Sequence, residues 1–356
     1  MLIFDSHLDL AWNAVEWKRD LEAEVGEIRK SEQGMRGAGR GRNTVSFPEL
    51  RSAGVGISIA TILTRQLVDQ TPPFIPYATP EESFQAAWKQ VEYYDSMCQQ
   101  GVLRAIRTAI ELVNHKHEWH ESPLKAPLGF ILSMEGADSI LGPDHLEKWY
   151  FHGLRIIGPA HYGQNRYTHG TGTEGGLKPD GFELLREMER LGFILDITHL
   201  TDEAIDQAFE FFGGPILASH HNCRQLVGGQ RQLSDEHIHR LIEKEAVIGI
   251  AFDAWMLKPG WIRGSSQPTD VFIEAAADHI DHICQLAGNT NHIGIGSDLD
   301  GGFGTEQTPA DLQTIQDLQK LPVILDRRGY SGPDIERILY GNWISFFQRA
   351  WAHRQG

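Results

Sequence analysis

Eight short apolar runs, each bounded by glycine or polar residues, are spaced along the chain. Continuous apolar runs of this length are typical of strands that are buried on both faces of a parallel sheet. The predicted strands cover residues 2–6, 56–63, 129–134, 154–158, 193–198, 215–219, 246–252 and 292–297.

Segments with apolar residues at helical spacing lie between and after these runs. Two of them open with Thr201 and Ser234, each followed by acidic residues, which is the pattern of a capped helix N-terminus. The predicted helices cover residues 80–97, 180–191, 201–212, 234–245, 269–287, 309–327, 332–339 and 342–353. This alternation favours a (β/α)8 barrel or a doubly wound sheet.

The length of 356 residues suits one large domain, because barrels of this size fold as a single unit. No composition break marks a second domain, so we predict one domain over residues 1–356. Residues 16–47 are polar and glycine-rich, which is long for a loop. We expect a functional excursion or a partly ordered lid there.

Composition narrows the functional class. The formal net charge is −16, which disfavours binding to nucleic acid or to an anionic membrane surface. The three cysteines lie far apart and predict no disulfide framework. The N-terminus, MLIFDSHLDL, does not read as a signal peptide, and we find no apolar run of about 18 residues. We therefore expect a cytoplasmic protein.

Side chains of the metal-binding types recur where the predicted strands end. They are His7, Asp9, Glu135, His161, His199, His220 and Asp298. Barrel active sites are built at the carboxyl ends of the strands, so we expect these side chains to converge. Crowded imidazoles and carboxylates require a cation, and mixed ligands of this kind suit zinc, with manganese or cobalt as substitutes.

The spacing of the first pair adds detail. His7 and Asp9 are two residues apart, so both point to the same side of an extended strand. Five ligands with a shared carboxylate exceed what one tetrahedral zinc accepts. They suit two ions about 3.5–4 Å apart that share a carboxylate and a water.

Several short motifs occur together in one order: H-L-D, M-E-G, A-H, T-H, S-H-H and G-I-G-S-D-L-D-G. In this order they resemble the membrane (renal-type) dipeptidases, the M19 metallopeptidases, over nearly the whole chain. The segment G-N-W-I-S-F-F is similar to that family's G-N-x-x-R-x-F, with Ser345 in place of the arginine. The resemblance implies an α/β fold, a (β/α)8 TIM barrel of the metal-dependent hydrolase type, in a soluble, bacterial-type member.

The resemblance also implies a ligand set for two Zn²⁺ ions. His7 and Asp9 match the ligands of the first metal, and Glu135 matches the bridging carboxylate. His199 and His220 match the ligands of the second metal.

Catalytic and substrate-binding roles follow from the same resemblance. Asp298 matches the carboxylate beside the first metal and the attacking water, where it also contacts substrate. His161 matches the histidine that polarises the scissile carbonyl. Arg231, eleven residues after His220, matches the arginine that holds the substrate carboxylate.

Together these features predict a zinc-dependent dipeptidase that attacks the peptide bond with a metal-bridged hydroxide. The resemblance favours acceptance of D-residues at the C-terminal position. The expected partner is a small dipeptide, with no nucleic acid and no membrane, and a homodimer stays open.

Two alternatives remain at this point. A related binuclear amidohydrolase would act on another amide, a lactam or an ester, but such enzymes commonly begin with H-x-H where this chain has H-x-D. A metal-binding barrel without activity is the other alternative, although pure binding would not require His161, Asp298 and Arg231.

Overall fold

The computed structural model describes residues 1–66 and 76–352. Eight parallel strands form a nearly closed barrel. They are β1 (Ile3–Leu8), β2 (Val55–Leu63), β3 (Leu128–Glu135), β4 (Leu154–Gly158), β5 (Ile194–Asp196), β6 (Ile216–Leu217), β7 (Ile248–Ile250) and β8 (Ile293–Ile295). Each overlaps a predicted strand, and the expected (β/α)8 barrel is confirmed.

The strands follow one another around the barrel in chain order. β8 pairs with β1 through Ile295 and Asp5, which brings the two ends of the strand sequence together. A parallel bridge between Ala218 and Ile248 joins β6 to β7. Three further short strands of the described residues lie outside the barrel. They are Leu103–Ala105, which pairs with β3, and Arg65–Gln66 with Pro76–Tyr77, which pair with each other.

Helices connect and follow the strands. The α-helices of the described residues are Leu10–Val15, Val25–Ser31, Phe47–Ala53, Pro80–Gln99, Ala109–Glu121, Leu146–Phe151, Pro179–Leu191, Asp202–Phe211, Asp235–Glu243, Ala254–Leu257, Glu274–Ala287, Leu321–Arg327, Gly332–Glu336 and Asn342–Ala352. The predicted caps are present, since Thr201 accepts a hydrogen bond from the Ala204 amide and Ser234 accepts one from the His237 amide. None of these helices is long and apolar enough to cross a membrane.

Two predicted helices start five or more residues later in the structure. The helix expected from residue 269 starts at Glu274, after the 3-10 turn Pro268–Asp270. The helix expected from residue 309 starts at Leu321, after the 3-10 segment Ile315–Lys320. Pro322 lacks an N–H group, so an α-helix that began earlier would lose a backbone hydrogen bond at that position. The final predicted helix ends at residue 353, which lies outside the described residues.

The predicted excursion at residues 16–47 contains the helix Val25–Ser31 and is tied to the end of β8. The buried Asp300 carboxylate accepts hydrogen bonds from the Thr44 amide at 2.7 Å and the Val45 amide at 3.1 Å. Arg19 lies 3.3 Å from the same carboxylate and 2.9 Å from Glu32. This buried network fixes the excursion next to the carboxyl ends of the strands.

Candidate active site

The polar side chains predicted from the sequence lie together at one end of the barrel. β1 carries His7, Asp9 follows it directly, and β3 ends on Glu135. Each of the next five strands places a polar residue three positions past its last residue; these residues are His161, His199, His220, Asp253 and Asp298. The parallel barrel brings these chain positions together because all its strands end on the same side.

Glu135 stands at the centre of the site, with its two oxygens facing different groups. Its Oε2 lies 3.6 Å from His7 Nε2. Its Oε1 lies 3.2 Å from His199 Nε2 and 3.3 Å from His220 Nε2. A carboxylate placed in this way can serve two cations at once.

The group on the Oε2 side contains further carboxylates. His7 Nε2 is 3.9 Å from Asp9 Oδ2 and 3.7 Å from Asp298 Oδ1. The Asp9 carboxylate also accepts a hydrogen bond from the Thr61 hydroxyl, which orients it. One imidazole nitrogen and several carboxylate oxygens therefore face the same small volume on this side of Glu135.

The group on the Oε1 side is richer in nitrogen. The Nε2 atoms of His199 and His220 are 3.2 Å apart. His199 Nδ1 lies 2.9 Å from the Thr171 hydroxyl, and His220 Nδ1 lies 2.9 Å from the Ser219 hydroxyl. When Nδ1–H donates to these hydroxyls, the Nε2 lone pairs are directed into the site, as in metal-binding histidines.

The chemistry of these donors fits a divalent cation. His7 Nε2 is buried and has no hydrogen-bond partner among the described residues. Burial, with a smaller contribution from Arg231, lowers the pKa of His7 to about 3, so its imidazole is neutral and can act as a ligand. Burial raises the pKa of Asp9 to about 6, and burial and then the Asp9 and Asp298 carboxylates raise the pKa of Glu135. A bound cation would relieve this cost.

Two of the converging residues have a strained backbone. His199 has a φ of 69° and Asp298 has a φ of 59°, both in the left-handed region. Such a conformation costs a non-glycine residue on the order of 1–3 kcal/mol and occurs most often at functional sites. The surrounding structure therefore holds both residues in a strained conformation that directs their side chains towards the site.

Buried carboxylates behind the site hold neighbouring strand ends together. Asp5 Oδ1 accepts hydrogen bonds from the Ser297 amide at 2.8 Å and the His7 amide at 3.2 Å, which joins β1 to the chain after β8. Asp196 Oδ1 accepts from the Thr198 amide at 3.0 Å and the Ser219 amide at 3.1 Å. These contacts fix the backbone from which the imidazoles project.

The remaining sequence-predicted residues also lie in the site. His161 Nε2 is 4.0 Å from Glu135 Oε1, and its ring is 4.5 Å from that of His199. Arg231 is buried, and its Nη2 donates to the His220 carbonyl oxygen at 2.9 Å. Arg231 Nη1 has no hydrogen-bond partner in the described part of the chain, so it can bind an anion in the cavity.

The cavity above Glu135 is lined by residues that sequence analysis missed. These are Tyr162, Asp253, Trp255, Met256, Arg263, Gly301 and Gly302. Asp253 had a detectable signal, since it follows the predicted strand at residues 246–252 directly. Arg263 had none, because it belongs to a loop whose path the sequence does not indicate.

Comparisons with known proteins identify a family that matches nearly the whole chain. The model of the membrane dipeptidase family, peptidase family M19, matches residues 1–355. Dipeptidase tcpJ of Claviceps purpurea is 30% identical over 227 residues, which is 61% of this chain and 50% of tcpJ. An uncharacterized dipeptidase of Schizosaccharomyces pombe is 29% identical over 245 residues, 67% of this chain and 56% of that protein. The matches thus span about half the length of these relatives.

Solved structures share the fold over nearly the full chain. The M19 metallopeptidase dipeptidase AC has a TM-score of 0.80 at 22% identity, with 99% of both chains covered. A metallopeptidase from Rhodobacter sphaeroides, solved with a phosphinate mimic of the dipeptide L-Ala-D-Ala, gives the same TM-score, identity and coverage. At this identity the likeness establishes the fold.

Proposed function

The chain belongs to the membrane dipeptidase family, peptidase family M19, and from this premise we propose that it is a zinc-dependent dipeptidase. The observation that carries the proposal is the placement of Glu135 between two groups of ligand atoms. Its Oε2 is nearest to His7, and its Oε1 is nearest to His199 and His220.

Two zinc ions are proposed as the cofactors, with manganese or cobalt as substitutes. His7, Asp9 and Asp298 would hold one ion, His199 and His220 would hold the other, and Glu135 would bridge them. Divalent ions at such a site supply Lewis acidity, which activates water near neutral pH and polarises a carbonyl group.

The residues around the ligands provide the other steps. Arg231 binds the free carboxylate of the substrate through Nη1, which has no hydrogen-bond partner among the described residues, and this contact directs cleavage to the peptide bond next to the C-terminus. Burial, then the neighbouring Arg65 and Arg231, lowers the pKa of His161, so a neutral imidazole donates its N–H to the scissile carbonyl oxygen. Asp298 takes a proton from the attacking water and returns it to the leaving amine.

A D-residue at the C-terminal position of the substrate is part of the proposal. The related Rhodobacter sphaeroides metallopeptidase was solved with a mimic of L-Ala-D-Ala. The cytoplasmic location and the oligomeric state stay predictions.

A hydrolysis assay on dipeptides tests the proposal. Zinc-loaded protein should cleave dipeptides with L- or D-residues in the second position. Glu135→Ala should lose activity by about three orders of magnitude or more, since one substitution removes a ligand from both groups. Chelation of the wild type should have the same effect.

Two results would count against a dipeptidase. One is cleavage that persists in Glu135→Ala with a normal melting curve. The other is a protein that carries about two ions per chain and leaves every dipeptide intact, which would favour another amide or ester as substrate.

A further inference from the structure

Arg263 is a second arginine in the cavity, and neither the metal ligands nor the proposed mechanism uses it. It lies in the loop that follows the helix Ala254–Leu257. Its guanidinium carbon is 5.5 Å from the centre of the Trp255 ring, and its Nη2 is 3.3 Å from Asp253 Oδ2. These two contacts hold the cation at the wall of the cavity.

Asp253 Oδ2 has little capacity left for a ligand, and Asp253 Oδ1 accepts a hydrogen bond from the Trp255 amide at 3.4 Å. Its Oδ2 accepts hydrogen bonds from Trp255 Nε1 at 2.6 Å and Gln307 Nε2 at 2.8 Å, in addition to Arg263. The side chain is only 3% exposed. A cationic group on a substrate would therefore find this oxygen already occupied by three donors.

The guanidinium of Arg263, in contrast, has N–H donors without a partner among the described residues. A guanidinium has five N–H donors, and among the described residues Arg263 makes a hydrogen bond only to Asp253. Its side chain is 53% exposed, and Asp253 is the only carboxylate in the described part of the chain that pairs with it. The N–H groups of Arg263 that have no partner among the described residues can therefore bind an anion.

We propose that Arg263 binds a carboxylate in the side chain of the substrate, so that the enzyme prefers dipeptides containing aspartate or glutamate. The inference rests on the proposed function, in which Arg231 binds the main-chain carboxylate. Two arginines on one cavity then hold the two carboxylates of an acidic dipeptide. The aromatic ring of Trp255 fixes the second arginine in place, which lowers the entropic cost of binding.

Isosteric substrate pairs test this assignment because they differ in charge and not in size. The pairs are Ala-Glu with Ala-Gln, Glu-Ala with Gln-Ala, and Ala-Asp with Ala-Asn, each with L- and D-forms of the second residue. The acidic member of at least one pair should have a kcat/KM roughly tenfold higher, mainly through KM, as expected for a charge-assisted contact away from the reacting bond.

Variants of Arg263 separate this role from a general effect. Arg263→Gln should remove the preference by lowering kcat/KM for the acidic members to the level of their neutral partners. Arg263→Glu should shift the preference towards Ala-Lys. Lys258→Gln is the matched control, because Lys258 is an exposed cation on the same loop that bonds to the Asp270 carbonyl oxygen and lies outside the cavity.

The outcomes are distinct. Equal rates within every pair, or an Arg263→Gln variant that slows acidic and neutral members alike, would overturn the role of Arg263 while the dipeptidase stands. Cleavage of no dipeptide at all would overturn the proposed function, and the preference with it.

Discussion

Arg231 illustrates how a single residue acquires a role from its surroundings. Its Nη2 is fixed on the His220 carbonyl oxygen, and its buried Nη1 has no hydrogen-bond partner among the described residues. An unpaired donor on a buried cation is costly, so the site gains when an anion from a ligand fills the position.

Replacement of this arginine by lysine tests the role. Arg231→Lys keeps the charge but loses the planar fork, so the kcat/KM for dipeptides should fall by roughly tenfold to a hundredfold. Steady-state kinetics measures the effect, and zinc content and melting temperature should stay close to those of the wild type. If KM and kcat are unchanged, Arg231 does not bind the substrate carboxylate.

Individual residues also show how much of the site can be predicted from the sequence. His7, Glu135 and Asp298 are predictable because each belongs to a strand end and has a ligand side chain. The hydroxyl of Thr171, which orients the His199 imidazole, is not predictable. Thr171 is 28 positions from His199, and no spacing rule connects a loop hydroxyl to its partner.

At the scale of elements, the strands were easier to predict than the helices. A fully buried strand such as Val55–Leu63 produces an apolar run that depends on few other parts of the fold. Short helices such as Leu10–Val15 have too few residues to show a helical period. The late start of the helix Leu321–Arg327 depends on one proline within a longer amphipathic pattern.

The close approach of strands inside the barrel explains a glycine beside the site. A Cβ atom at Gly296, which follows β8, would lie 1.9 Å from the Ser219 carbonyl oxygen. Gly296 also precedes Asp298 by two residues, so any shift of this backbone would move a proposed ligand.

Gly296→Ala should therefore lower the free energy of unfolding by about 1–3 kcal/mol or more, because the backbone atoms it meets cannot move freely. It should also weaken zinc binding. Thermal or urea unfolding measures the first effect, and competition with a chelator measures the second. Gly228→Ala is the matched control, since a Cβ there meets nothing within 4 Å. Equal stability of the two variants would show that the barrel tolerates the added methyl group.

In the whole molecule, the barrel brings residues that are far apart in the sequence together into one site. His7 and Asp298 are separated by almost the full chain, yet their side-chain atoms lie 3.7 Å apart because β1 and β8 are neighbours. The excursion at residues 16–47 reaches the same end through Arg19 and Asp300, a contact that its polar sequence does not indicate. The single-domain organisation stays a prediction.

In the proposed function one carboxylate, Glu135, serves two zinc ions that the enzyme needs to cleave dipeptides. The most direct test is a titration of metal-free protein with zinc, in which the initial rate of Ala-Ala or Ala-D-Ala hydrolysis is recorded at each step. If Glu135 serves two ions, activity should reach its plateau at about two zinc ions per chain, and Glu135→Gln should bind fewer ions and stay inactive. Full activity at about one ion per chain, or no hydrolysis once two are bound, would contradict it.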